Sequence, residues 1–178
     1  MLMRMFGDAT RPLYQSTEMM YLQEIPENGY REFIKRHFLA EKRRVDESAL
    51  VALLEWTRRH TWYLQYACNR IFETGKDLDN HALHEVMTDI LINFEPFYLE
   101  YRTLITRHQW QMLKAIALSG SATAITSGDF IRSNNLTNAS TVKRSVESLT
   151  EKEMIYHRDG SYFVYDVFLS RWLEMKNR

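Results

Sequence analysis

The residues best suited to chemistry are cations set beside short polar side chains: Ser140, Thr141, Lys143, Arg144 and Ser148 in one amphipathic stretch, and Arg158 next to Asp159-Gly160. Lysine and arginine neutralise phosphate, and hydroxyls near a helix start can reach base edges, so this chemistry is recognition rather than bond-breaking. Other groupings fall short of catalysis. Gly75-Lys76 is followed by Asp77, where a phosphate loop needs Ser or Thr for Mg²⁺, and Arg70 stands where its leading glycine belongs. His81, His84 and Glu85 share a helical face, but such groups are usually solvated surface, and no metalloenzyme signature accompanies them. Cys68 is the sole cysteine, which excludes an internal disulfide and a multi-thiolate zinc site; in an apolar helix it reads as a small buried side chain. No enzyme activity and no metal are expected of this chain.

The elements that must position these residues follow from periodicity. Apolar spacing predicts helices over Trp110 to Leu118, Ser127 to Leu136 and Thr141 to Leu149, and then a hairpin from Ile155 to Val164 turning at Asp159-Gly160. Three short helices followed by a hairpin form a winged helix-turn-helix, placed over residues 106–178. In its third helix Val142, Val146 and Leu149 fall on the buried face. That leaves Thr141, Lys143, Arg144, Glu147 and Ser148 outward, with Asn138 or Ser140 as N-cap. Arg158 would sit at the tip of the wing. Glu147, Glu151 and Glu153 add negative charge nearby, so docking on DNA and packing against protein both stand as readings.

Upstream, residues 27–105 read as an all-α bundle. Tyr30, Phe33, Ile34, His37 and Phe38 mark one helix. Asp46 can cap a second carrying Leu50, Leu53 and Leu54, and a third holds Trp62, Tyr66, Ile71 and Phe72 before Gly75. Asn80 can cap a long fourth helix with apolar positions from Leu83 to Leu104, which Pro96 should kink or split. The aromatic cluster of Trp56, Trp62, Tyr63, Tyr66 and Phe72 reads as core. No flexible linker precedes the winged helix, so the two parts should pack together. Residues 1–26 read as a remnant segment: the last turns of an amphipathic helix to Gly7, a loop at Arg11-Pro12, and an extended stretch closed by Pro26.

Composition sets outer limits. In 178 residues, 23 basic side chains balance 23 acidic ones, so bulk charge is not what would grip nucleic acid. From Leu104 onward, however, ten basic residues face seven acidic ones, a modest basic bias in the winged helix. With no signal peptide, no spanning run and one cysteine, a cytoplasmic protein without membrane association is expected.

Several blocks resemble a known family. They are Arg11-Pro12-Leu13-Tyr14; Tyr30 to Ile34 with Phe38; His60 to Asn69; Gln109 to Ala117; Ser140 to Val146; and Tyr162 to Leu173. In this order they resemble the C-terminal half of prokaryotic AAA+/STAND-type ATPases, which are also similar to the archaeal origin-recognition group. The resemblance implies a helical lid and a winged helix that would follow a missing N-terminal P-loop domain, the holder of ATP and Mg²⁺. It also makes His60, Thr61 and Tyr63 the lid residues expected to face nucleotide, although Thr61 and Trp62 replace the proline turn of relatives. The chain would then be a regulatory fragment whose winged helix meets DNA or a protein partner. The alternative is a stand-alone DNA-binding transcriptional regulator with a helical dimerisation part.

Overall fold

A computed structural model describes residues 25–177; the features expected before Ile25 lie outside them. Eight helices and one hairpin follow in order among the described residues. They are α1 (Glu27–Ala40), α2 (Glu47–Trp56), α3 (Thr61–Glu73), α4 (Asn80–Leu104), α5 (Arg107–Leu118), α6 (Gly128–Ser133), α7 (Ala139–Glu151), β1 (Ile155–Arg158), β2 (Ser161–Val164) and α8 (Val167–Lys176). The fold is mainly α, a helical bundle followed by a winged helix with a small hairpin, as the periodicity indicates.

Local chemistry sets the helix starts, with two departures from expectation. Asp79, not Asn80, caps α4: its carboxylate accepts from Ala82 N–H at 2.8 Å, while Asn80 is already helical and donates to Ser48 Oγ at 2.9 Å. Asp46 precedes α2 but makes no side-chain cap bond there. Its backbone N–H instead donates to Leu78 O at 2.8 Å, in a short parallel bridge between Val45 and Leu78 that ties together the loops before α2 and α4. Pro96 does not split α4, which runs on for 25 residues. Pro96 has no N–H to offer the Ile92 carbonyl, but Ile92 is half exposed, so water can serve that oxygen instead. The apolar stripe of α4 is covered only in part: Leu83, Val86, Ile90, Leu91 and Tyr98 are buried, whereas Phe97, Tyr101 and Leu104 remain exposed.

The winged helix has well-made caps. Thr106 and Gln109 form a reciprocal capping box at α5, with bonds of 3.3 and 2.8 Å. Ser127 caps α6, which stops at Ser133, short of the expected Leu136, because Asn134 ends it and Asn135 takes the left-handed conformation (φ 52°). Asn138 caps α7 by accepting from Thr141 N–H at 2.9 Å. The wing pairs Ile155 with Val164 through Arg158 with Ser161, and Asp159 (φ 51°) and Gly160 (φ 78°) supply the two positive φ angles of a tight hairpin turn. Ala122 bridges Tyr162 on the other side of β2.

The two parts share one hydrophobic core. Phe168 of α8 is fully buried among Trp56 of α2, Trp62, Tyr63 and Tyr66 of α3, and Phe94 of α4, with ring centroids 4.8 to 6.0 Å apart. Hydrogen bonds clamp the same seam. Arg58 donates to Val164 O (3.0 Å) and Ser170 Oγ (2.9 Å); Arg171 donates to Trp56 O and Glu55 O, both at 3.0 Å. Trp172 Nε1 donates to Glu95 at 3.0 Å, and Lys176 pairs with the same carboxylate at 2.7 Å. The sequence boundary at residues 105/106 therefore has no spatial gap. Replacing Phe168 by Ala should cost about 3–5 kcal/mol and lower both parts in one transition. Urea unfolding followed by far-UV circular dichroism and by tryptophan fluorescence checks this, and separate midpoints would contradict a shared core.

Candidate functional site

The α7 surface divides the expected recognition residues into two groups. Val142, Ser145, Val146 and Leu149 are buried against the rest of the winged helix, which orients the opposite face outward. Lys143 and Arg144 are exposed on that face, and Ser140 is exposed at the helix start, its hydroxyl donating to Asn138 Oδ1 at 2.9 Å. Thr141 is half-buried, and its N–H is taken by the cap. Ser148 departs from the expected outward placement: it is half-buried and its hydroxyl accepts from Gln109 Nε2 of α5 at 2.8 Å. It lies on the packing flank of α7 because the helix turns through about 100° per residue and brings position 148 beside α5. Arg158 is exposed at the end of β1, with Nε 3.3 Å from Asp159 Oδ2. Two adjacent cations near the positive end of a capped helix can neutralise phosphates of an extended polyanion, while Arg158, at the wing tip, borders a groove with Glu27, Glu55 and Arg59 of the helical part.

The expected lid residues do not converge on one point. Thr61 Oγ1 shares a 2.6 Å hydrogen bond with the Tyr30 hydroxyl of α1. His60 is exposed, with its ring edge-on to Tyr63 at 4.9 Å. Tyr63 is buried and turns toward the winged helix, packing on Phe168 and donating to Asp166. Trp62, expected in the core, is 50% exposed and stacks on Tyr66 at 5.5 Å. Cys68 is half-buried, and burial pushes its thiol up to about 12, which suppresses thiolate reactivity. Among the described residues no group of His, Cys, Asp or Glu is arranged to hold a metal; Glu85 is engaged by Lys76 at 2.6 Å.

Periodicity missed the residues at the seam. Asp166 caps α8 by accepting from Leu169 N–H at 3.1 Å. Burial raises its carboxyl above the ordinary carboxylate range, an effect opposed by its bonds to the Leu169 and Phe168 N–H groups and to the Tyr63 hydroxyl. Burial likewise pushes up the phenols of Tyr63 and Tyr98, and the buried Tyr98 hydroxyl has no hydrogen-bond partner among the described residues. Burial and the neighbouring Arg171 depress Arg58, whose two seam bonds go to neutral acceptors. Asp166 carried a sequence signal, an Asp before an apolar run, and Tyr63 and Tyr98 lie on apolar helix faces; Arg58 depends on contacts more than a hundred residues apart.

Residues 96–175 match the model of a family described as a probable winged helix domain, beginning within the last turns of α4. The solved structure of a Walker-type ATPase of Pyrococcus abyssi is similar over 94% of this chain, with a TM-score of 0.66 at 18% identity. At that identity the likeness establishes the fold. The chain spans about half, 47%, of that ATPase chain. A search of curated proteins finds no match. No helix among the described residues is long and apolar enough to cross a membrane.

The Asp166 shift has a signed consequence. Its folded-state pKa lies above its unfolded value, so between the two the native state holds more protons, and stability falls as pH rises through the window. Asp166→Asn keeps a cap acceptor and removes the charge. Wild-type stability relative to that variant should therefore decline as pH rises from about 4 upward. Urea midpoints of both proteins across pH check it, and a wild-type midpoint that rises relative to that of Asp166→Asn as pH increases would refute the sign.

Proposed function

We propose that this chain is the regulatory module of a Walker-type ATP-binding protein: a helical lid joined to a winged helix that recognises DNA, not itself catalytic. ATP and Mg²⁺ would be held by a nucleotide-binding domain outside the described residues. The observation that carries this reading is the similarity of nearly the whole chain to one part of the Pyrococcus abyssi ATPase, helical bundle and winged helix together. The Arg58 and Arg171 bonds and the Phe168 core make the two parts one body, so a nucleotide-biased rotation of the lid would carry α7 with it instead of being absorbed at a linker. Of the candidate lid residues, His60 is exposed and suited to meet nucleotide, while Thr61 and Tyr63 hold α3 in place.

DNA is favoured as the partner of α7 because Lys143, Arg144 and Ser140 are exposed at a capped helix start and Arg158 lies at the wing tip. A second reading, a self-contained DNA-binding regulator that dimerises through its helical part, draws on the exposed Phe97, Tyr101 and Leu104 at one face of α4. A stable dimer in sedimentation that dissociates on Leu104→Glu would favour it.

Fluorescence anisotropy with random-sequence duplex DNA tests the DNA reading. Binding carried by two phosphate contacts should weaken about tenfold between roughly 50 and 200 mM salt, and Lys143→Glu/Arg144→Glu should abolish that binding and its salt dependence. No binding by the wild type at either salt would remove DNA and leave a protein-facing winged helix.

A further inference from the structure

A cavity of about 410 Å³ opens at the seam between the helical part and the winged helix, separate from the α7 surface. Its walls come from both parts: Tyr63 of α3, Tyr101 and Leu104 of α4, Met154 before β1, and Tyr165 and Asp166 before α8. The volume lies in the range of small-ligand sites. Three tyrosines, the carboxyl of Asp166 and, from an exposed position, that of Glu153 therefore border a single largely apolar space.

This combination is selective. Aromatic faces attract a cation through their quadrupole, and a desolvated carboxylate adds a full opposite charge, whereas an anion would meet both with repulsion. The partners of Asp166 are neutral: two backbone N–H groups and the Tyr63 hydroxyl. Burial disfavours its charged form, and a cation in the cavity would offset that cost. Lys152, also at the rim, has its ammonium 3.5 Å from the Leu104 carbonyl, where the C-terminal end of α4 attracts it.

We propose that this seam cavity is a binding site for a small organic ammonium cation, held by Tyr63, Tyr101, Tyr165 and Asp166. Because its walls belong to both parts, an occupant binds only when they are docked and stabilises the docked form. The site stands on the cavity and its lining alone and does not depend on the DNA or ATPase reading.

Choline and its neutral isostere 3,3-dimethylbutan-1-ol are the probes, titrated separately into the full ¹⁵N-labelled chain up to about 50 mM while amide shifts are followed. Choline should move the resonances of Tyr101, Leu104, Met154 and Tyr165, and the alcohol should bind at least about fivefold more weakly. Tyr101→Ala and Tyr165→Ala, at partly exposed positions that leave the core filled, should each weaken choline about fivefold or more. Asp166→Asn, which keeps the cap acceptor, should weaken choline but not the alcohol. Equal affinity for the two probes, no shifts at the seam, or choline shifts indifferent to all three substitutions would overturn the proposal.

Discussion

The burial of one ring, Phe168, is what the rest of this structure depends on. It belongs to the winged helix by sequence, yet its neighbours are Trp56, Trp62, Tyr63, Tyr66 and Phe94 of the helical bundle. A phenylalanine surrounded by aromatic edges and faces contributes both area removed from water and favourable ring geometry, a combination that no exposed contact at this seam supplies. Removing it would leave α8 with a hole on its inner face and the bundle with uncovered aromatics. The polar clamp of Arg58 and Arg171 aligns around that buried ring. Apart from the Ser170 hydroxyl, their acceptors across the seam are carbonyls at a helix end and a strand end, groups that would otherwise need water.

How the parts are joined decides what either can do. Only Ile105 and Thr106 separate α4 from α5, and the Thr106–Gln109 capping box makes even that joint a defined helix start. The orientation of α7 is thus referred, through α5 and α8, to the long axis of α4. A domain on a tether searches space for its target. Here the helical bundle presents the α7 surface in one direction, and the acidic Glu147 on the same exposed face restricts what that surface accepts.

Much of this was legible in the sequence, and the rest was hidden for physical reasons. Helix periods, the wing turn at Asp159-Gly160 and the buried face of α7 follow from nearest-neighbour geometry, so local pattern suffices. Cap identity was open between Asn138 and Ser140, and at α4 the pattern pointed to Asn80 where Asp79 is the cap, because nearby residues of similar capping ability differ only in backbone conformation. Ser148 looked outward on a helical wheel, but whether a flank residue meets solvent or Gln109 depends on where α5 lies. The exposed Phe97, Tyr101 and Leu104 were indistinguishable from core by period alone, since amphipathicity says which face is apolar and not how much of it a neighbour covers. Arg58 and Arg171 could not be found, because their partners lie far along the chain.

That distance also governs how the protein is made. Arg58 bonds to residues 106 and 112 positions later, and Arg171 to residues 115 and 116 positions earlier. At roughly 5–20 residues per second on the ribosome, α2 and α3 emerge some 5–20 s before α8 exists to cover them. For that interval Trp56, Tyr63 and Tyr66 have no Phe168 to enclose, and an early-folded bundle would offer sticky aromatic surface to other nascent chains or to a chaperone. The seam that makes the finished molecule one body thus makes its synthesis dependent on late closure.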